Sequence, residues 1–184
     1  MLGSEIVPSK SWAKIQLQSD TTRTDELKFY YLWETPKDKY VVINVDGYLV
    51  LNGYCQAGAG GGFWPSDRYS KISVDARLDI YEWWNQPPTS PFSQPDQTQS
   101  AIIPPLEVSA EGFLEVGGIE YTTLFRGYDL SHTLMLVPPQ AWVVFAVTTS
   151  IASVNGNDSS HTEADFASGD FHVMSPAVHV AVLS

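Results

Sequence analysis

The segment 71–80 alternates strictly between polar and apolar side chains. Every even position from 72 to 80 is apolar, and every odd position from 71 to 79 is polar or charged: Lys71, Ser73, Asp75, Arg77 and Asp79. Successive side chains of a strand point to opposite faces, so such a segment has one dry face and one wet face. This pattern is typical of an antiparallel sheet that covers a core on one side and meets water on the other.

Strand-like segments follow one another along the chain, and helix signals are few. We count about ten to twelve strands with short turns, which predicts an all-β fold, an antiparallel β-sandwich that is jelly-roll-like. An Asp46-Gly47 pair between two β-rich runs predicts a hairpin, because type I′ turns need positive φ. The glycine-rich stretch 58–62 is interpreted as a flexible loop.

A Pro- and Gln-rich segment runs from residue 85 to about residue 105. A connection of this length is usually functional or crosses between sheets, although it also fits a linker between two domains. Neither half of the chain has an obviously independent core. We therefore predict a single β-sandwich domain over 1–184, with a long loop at about 85–105.

The chain is strongly acidic, with 21 Asp and Glu residues, 10 Lys and Arg residues and a formal net charge of −11. Nucleic-acid binding depends on Lys and Arg side chains that neutralise phosphate, so we expect no nucleic-acid partner. No apolar run approaches the roughly 20 residues that cross a bilayer, so we expect no membrane insertion. The charge suits an outward-facing protein.

No catalytic motif stands out in the sequence. Asp75 and Asp79 share one strand face about 13 Å apart, beyond the roughly 5–9.5 Å between glycosidase carboxylates. We interpret them as solvated charge partners of Arg77. No Gly-x-Ser-x-Gly elbow is present, and the single cysteine, Cys55, is expected to be a buried structural thiol. We therefore expect a protein that is not an enzyme, while catalysis by carboxylates from different strands stays open.

Metal-binding signals are equally sparse. The four histidines show no spacing typical of zinc ligands, and we expect no cofactor. Calcium is the alternative left open, since it prefers hard oxygen ligands. Its candidate ligands are acidic residues in or near the later loops, and they do not match an EF-hand: Asp158, Glu163, Asp165 and Asp170.

Aromatic side chains make up 12% of the chain. Trp33, Trp142 and Phe145 lie in apolar strands and are expected in the core. Because adjacent tryptophans on a strand face opposite ways, at most one of a Trp-Trp pair belongs to the core. The other is covered by the long loop, or is exposed to stack on a sugar or anchor an interface. The candidate ligand or interface residues are Trp64, Tyr81, Trp83 and Trp84.

Two late segments carry a resemblance at the level of architecture, Val137-Pro-Pro-Gln-Ala-Trp-Val-Val-Phe145 and Val173-Met-Ser-Pro-Ala-Val-His-Val-Ala-Val-Leu183. With the all-β organisation, the chain resembles viral coat-type jelly rolls, in particular outer projection domains of small non-enveloped viruses and phage capsid-decoration domains. The chain departs from shell-forming coat domains because it lacks a basic arm that would contact the genome. The resemblance therefore implies a place on the virion surface and transfers no residue roles.

The sequence favours a structural virion surface protein, a capsid projection or decoration domain that self-associates as a dimer or trimer. Sandwiches expose edge strands, and oligomerisation is one way to cover them. Other capsid proteins and a host glycan or receptor, contacted during host attachment, are the further expected partners. The alternative is a carbohydrate-binding module that uses exposed tryptophans. The third hypothesis is a jelly-roll glycoside hydrolase or lyase.

Overall fold

A computed structural model describes residues 3–8, 12–36, 38–60, 69–84, 97–100, 106–112, 117–156 and 159–183. These residues form two antiparallel sheets, with eleven strands of four or more residues and two shorter ones. The predicted all-β sandwich is confirmed. None of the described residues forms a helix that could cross a membrane. The strands are β1 (Gly3–Pro8), β2 (Trp12–Ala13), β3 (Ile15–Ser19), β4 (Arg23–Glu34), β5 (Val41–Ala59), β6 (Tyr69–Trp84), β7 (Gln97–Ser100), β8 (Leu106–Glu111), β9 (Gly118–Val137), β10 (Ala141–Asn155), β11 (His161–Phe166), β12 (His172–Met174) and β13 (Ala177–Val182).

Each sheet has four rows of strands. In the first sheet, an N-terminal row (β1, β2 and β3) pairs with a C-terminal row (β13, β12 and β11), which pairs with β5, which pairs with β9. In the second sheet the order is β4, β10, β6, and then β7 and β8 together. The apolar faces of the two sheets meet in one buried cluster that contains residues of both.

The pairing follows a simple rule, because the chain is a long hairpin folded about its own middle. Gly3 pairs with Val182, Glu34 with Trp142, and the last residue of β5 with the first of β9. The midpoint of each such pair falls within the segment 85–105. The prediction of a loop there is wrong for residues 97–100, which form β7, and the rest of the segment lies outside the described residues. The long hairpin curls into a sandwich, and two further sets of pairings then form. β5 pairs with the C-terminal row, and β6 pairs with β10. The resulting order of rows is that of a jelly roll, which consists of two Greek keys.

The alternating strand β6 has the dry face that its sequence predicts: Ile72, Val74, Ala76, Leu78 and Ile80 are all buried. On the opposite face, the interpretation of Asp79 as a solvated charge is wrong, since its exposed fraction is 1%. Arg77 Nε donates to both carboxylate oxygens of Asp79 at 3.1 Å, and Thr148 Oγ1 donates to Oδ2 at 3.0 Å. A buried carboxylate requires such partners to offset its lost hydration.

Strand β5 runs without a break through the Asp46-Gly47 pair, so the predicted hairpin is wrong. β9 lies opposite this pair in regular register, and the long ladder outweighs the local turn signal. At Gly53 of the same strand, glycine serves close packing, as it often does inside strands. A Cβ at Gly53 would lie 2.1 Å from the carbonyl oxygen of Asp165. The first two residues of the predicted loop 58–62 also belong to β5.

The predicted core is confirmed for Trp33, Phe145 and Cys55, all of which are buried. Burial raises the pKa of the Cys55 thiol to about 12, as expected for a structural cysteine. The placement of Trp142 in the core is wrong. It is half-buried on the outer face of the second sheet and pairs with Trp83, because the alternation of β10 turns its even positions outward.

Glu26 gives the stability of this protein a pH dependence. Burial acts to raise its pKa, but hydrogen bonds and charges from Arg77 and Lys28 outweigh burial and lower it. A lowered pKa stabilises the fold above the ordinary value of 4.5, and this stabilisation is lost as pH falls through the folded-state value. We expect Glu26→Gln to reduce the free energy of unfolding at pH 7 and to weaken its decline below about pH 4.5, measured by urea unfolding.

The matched control for this prediction is Glu34→Gln, an exposed carboxylate on the same strand. We expect the control to keep the acid sensitivity of the unmodified protein. Equal pH profiles for the two variants would contradict the assignment of this pH dependence to Glu26.

Candidate functional site

The aromatic residues singled out from the sequence lie in part on the outer face of the second sheet. Tyr81 stacks on Trp83 with ring centroids 6.0 Å apart and an interplanar angle of 23°. Tyr81 is only 2% exposed, whereas Trp83 is half-buried. Trp84 ends β6, but its side chain and all of Trp64 lie outside the described part of the structure. The role of these four residues in ligand or interface contact stays a prediction.

Tyr81 belongs to a small second cluster with Val144 and Ala146, against which Trp83 packs. Burial raises the pKa of Tyr81, although the nearby Lys28 opposes that shift. The phenol therefore stays neutral under ordinary conditions. This cluster is an apolar patch on the outside of the sandwich, and most of it is already covered.

Among the described residues, most of the large apolar side chains that are at least 60% exposed lie on β9. Among the described residues β9 pairs with β5 alone, so it is an edge strand of 20 residues. Folded proteins usually shield such edges, because unpaired backbone groups invite a further strand. Five large apolar side chains of β9 are each at least 60% exposed, and we name them the β9 strip: Ile119, Tyr121, Phe125, Leu134 and Leu136.

Leu134 occupies a strained position in the β9 strip. The register of β5 and β9 shifts between Ile43 and Val45, and Leu134 has a φ of 57° in this bulge. Its amide donates to Asn44 Oδ1 at 2.9 Å. A bulky residue at positive φ is unfavourable, and burial gives no compensation because the side chain is 72% exposed. The bulge and the Asn44 hydrogen bond therefore hold Leu134 at positive φ with its side chain exposed.

Tyr54 lies between the β9 strip and the residues near the opposite edge of the first sheet. Its ring lies 6.2 Å from that of Tyr121 and 6.0 Å from that of Phe171, measured between centroids. Its hydroxyl donates to Glu163 Oε1 at 2.8 Å. Burial and the Glu163 carboxylate raise the pKa of Tyr54 to about 12. Tyr54 is therefore a fixed, neutral bridge between two surface regions.

Near the edge opposite β9, the first sheet carries a cavity of about 380 Å³, which we name the Trp12 pocket. Its walls come from β2, β12 and the turn before β12, with side chains from Trp12, Lys14, Asp170, Phe171, His172 and Met174. Sequence reasoning missed this site. A signal was nevertheless present, because Trp12 shares the polar face of an alternating segment with Lys14, Gln16 and Gln18.

Two of the four carboxylates proposed for calcium, those of Glu163 and Asp165, are engaged within the protein, whereas the carboxylate of Asp170 is exposed. Glu163 accepts the hydrogen bond of Tyr54, and Asp165 Oδ1 accepts the amides of Ala167 and Ser168 at 2.8 and 2.9 Å. Burial acts to raise the pKa of Asp165, but the hydrogen bonds outweigh it and lower that pKa. Asp158 lies outside the described residues, and within them no three His, Cys, Asp or Glu side chains lie close enough to hold a metal.

No family model matches this chain, and no curated protein matches its sequence. An aminopeptidase from the marine sediment archaeon Thaumarchaeota archaeon aligns with 95% of this chain and 34% of its own, at 12% identity and a TM-score of 0.30. Infectious bursal disease virus of the Gt strain aligns with 98% of this chain and 42% of its own, at 7% identity and a TM-score of 0.27. Infectious bursal disease virus of the Gx strain aligns with 98% of this chain and 40% of its own, at 8% identity and a TM-score of 0.30. The chain spans less than half of each of these proteins, and such weak likeness assigns no function.

The strain at Leu134 can be tested by substitution. We expect Leu134→Asn to raise the free energy of unfolding by about 1 kcal/mol, because Asn tolerates positive φ better than leucine does. Gln140→Asn is the matched control, since Gln140 has a φ of 60° in a turn outside the β9 strip. Chemical denaturation should show a similar gain for both. Destabilisation by Leu134→Asn alone would show that the leucine is needed for packing within the folded monomer.

Proposed function

We propose that this chain is a structural subunit of a virion surface, a capsid projection or decoration domain that self-associates through the β9 strip. The carrying observation is a long edge strand that presents five large, exposed apolar side chains. Monomeric proteins rarely leave such a row uncovered. The jelly-roll order of the strands supports the proposal at the level of fold, since viral capsid domains share it with proteins of other functions.

A second copy of the chain is the partner that fits this edge. The strip lies on one strand with alternating outward positions, so copies related by a two-fold or three-fold axis can bring the same residues together near that axis. The net charge of −11 makes copies repel one another over most of their surface. Contact through an apolar strip therefore has the lowest electrostatic cost for two identical acidic molecules. The same charge supports a place on the outside, away from a genome.

Self-association predicts a definite oligomer in solution. We expect light scattering on a sizing column to give the mass of a dimer or trimer over a range of concentrations. Phe125→Asp should convert this species to a monomer, because it places a charge at the most exposed residue of the strip, 82% exposed.

Leu32→Asp is the control, an exposed apolar residue on β4 at an edge of the other sheet. It should keep the mass of the unmodified protein. A monomer at every concentration, or an equal loss of mass in both variants, would refute association through β9.

The carbohydrate-binding module is the second candidate function, and the Trp12 pocket is the observation in its favour. Its aromatic wall is a different one from the tryptophans named in the sequence analysis. A strictly monomeric protein that binds sugar through this pocket would make the module the better account. An oligomer without sugar binding would support the structural subunit alone.

A further inference from the structure

We infer that the Trp12 pocket binds a neutral sugar ring, a pyranose of an uncharged glycan. This inference goes beyond self-association and does not depend on it. The pocket lies on the N-terminal and C-terminal rows of the first sheet, whereas the β9 strip lies at the opposite edge. A capsid surface domain and a carbohydrate-binding module would both be able to use such a site.

One wall of the pocket is held in place before any ligand arrives. The turn 167–171 has two amides bound by the buried carboxylate of Asp165. Its carbonyls at Ala167 and Gly169 accept hydrogen bonds from Lys14 Nζ at 2.7 and 3.0 Å. Asn52 Nδ2 donates to the carbonyl of Asp170 at 3.2 Å. A wall fixed by this many hydrogen bonds loses little entropy on binding, as a specific site requires.

The apolar surfaces of the pocket suit the C–H face of a sugar. Trp12 is 52% exposed, and Met174 pairs with it across the β2–β12 ladder. Phe171 is held edge-on against Tyr54 at an interplanar angle of 71°. The volume of about 380 Å³ lies within the range of small-molecule sites, which combine apolar walls with a few polar groups.

The polar groups of the pocket complement hydroxyl groups, which both donate and accept. His172 Nδ1 donates to the carbonyl of Asp170 at 2.7 Å, which leaves Nε2 as the ring nitrogen available to a ligand. The exposed Asp170 carboxylate has no hydrogen bond or ion pair within the described residues. Lys14 uses two of its three N–H donors on carbonyls and keeps one.

The charges around the pocket select against ionic ligands. An anion would face the carboxylate of Asp170, and a cation would face the ammonium group of Lys14. Apolar walls and hydroxyl-matched polar groups remain as the means of recognition. A neutral pyranose has both an apolar face and a rim of hydroxyls, so it is the chemical class that fits.

The test titrates the full chain with neutral gluco-, galacto-, manno- and N-acetylglucosamine oligosaccharides and with sialylated and uronic acid counterparts. Calorimetry measures affinity, and saturation-transfer NMR detects weak binding. We expect at least one neutral sugar to bind and acidic sugars to bind more weakly. Trp12→Ala and, separately, Asp170→Asn should each weaken binding by about tenfold or more. Tyr40→Ala, an exposed aromatic residue outside the pocket, is the control and should leave binding unchanged.

The outcomes separate this inference from the proposed function. Absence of binding by every neutral sugar, unchanged binding in both pocket variants, or preference for acidic sugars would overturn the inference. Phe125→Asp should bind sugar as the unmodified protein does while losing its oligomeric mass. Asp170→Asn keeps the test valid if Trp12→Ala fails to fold, because the exposed carboxylate has no structural partner within the described residues.

Discussion

The ladder between β5 and β9 is the constraint on which the rest of the structure depends. It runs from the Val41–Val137 pair to the Ala59–Gly118 pair and joins the two halves of the chain. Once these strands are paired about the middle of the sequence, β6 meets β7 and β8, β4 meets β10, and the two terminal rows meet each other. β5 then takes the C-terminal row on its other side. The pairing of strands about the middle of the chain therefore determines the strand order of both sheets.

The same ladder determines which edges of the first sheet carry the two proposed surfaces. β5 is paired on both sides, whereas β9 keeps one side without a partner among the described residues and carries the exposed strip. At the opposite edge, the short strand β2 places Trp12 beside the turn 167–171. Tyr54 connects the two regions across the sheet. One sheet thus carries both the edge that we propose for a second copy and the pocket that we propose for a sugar.

The sequence predicts the fold class because its strongest signal is local. The period of two in β6 needs no knowledge of other strands, and the buried even positions confirm it. The Asp46-Gly47 signal fails because a turn preference at two residues is weak against a long ladder. The burial of Asp79 was not predictable, since Arg77 is its neighbour on β6 but Thr148 comes from β10, far along the chain. Trp12 was predictable in part, from its place on a polar face, but the turn that completes its pocket lies far along the chain.

The central claim is that the outer edge of β9 is a contact surface between copies. Hydrogen–deuterium exchange with mass spectrometry tests it directly, at protein concentrations above and below the assembly range. The account predicts that peptides covering 118–137 gain protection on concentration, while peptides covering 23–34, from an edge of the other sheet, do not change. Equal exchange of β9 peptides at all concentrations, or protection that develops on β4 instead, would contradict it.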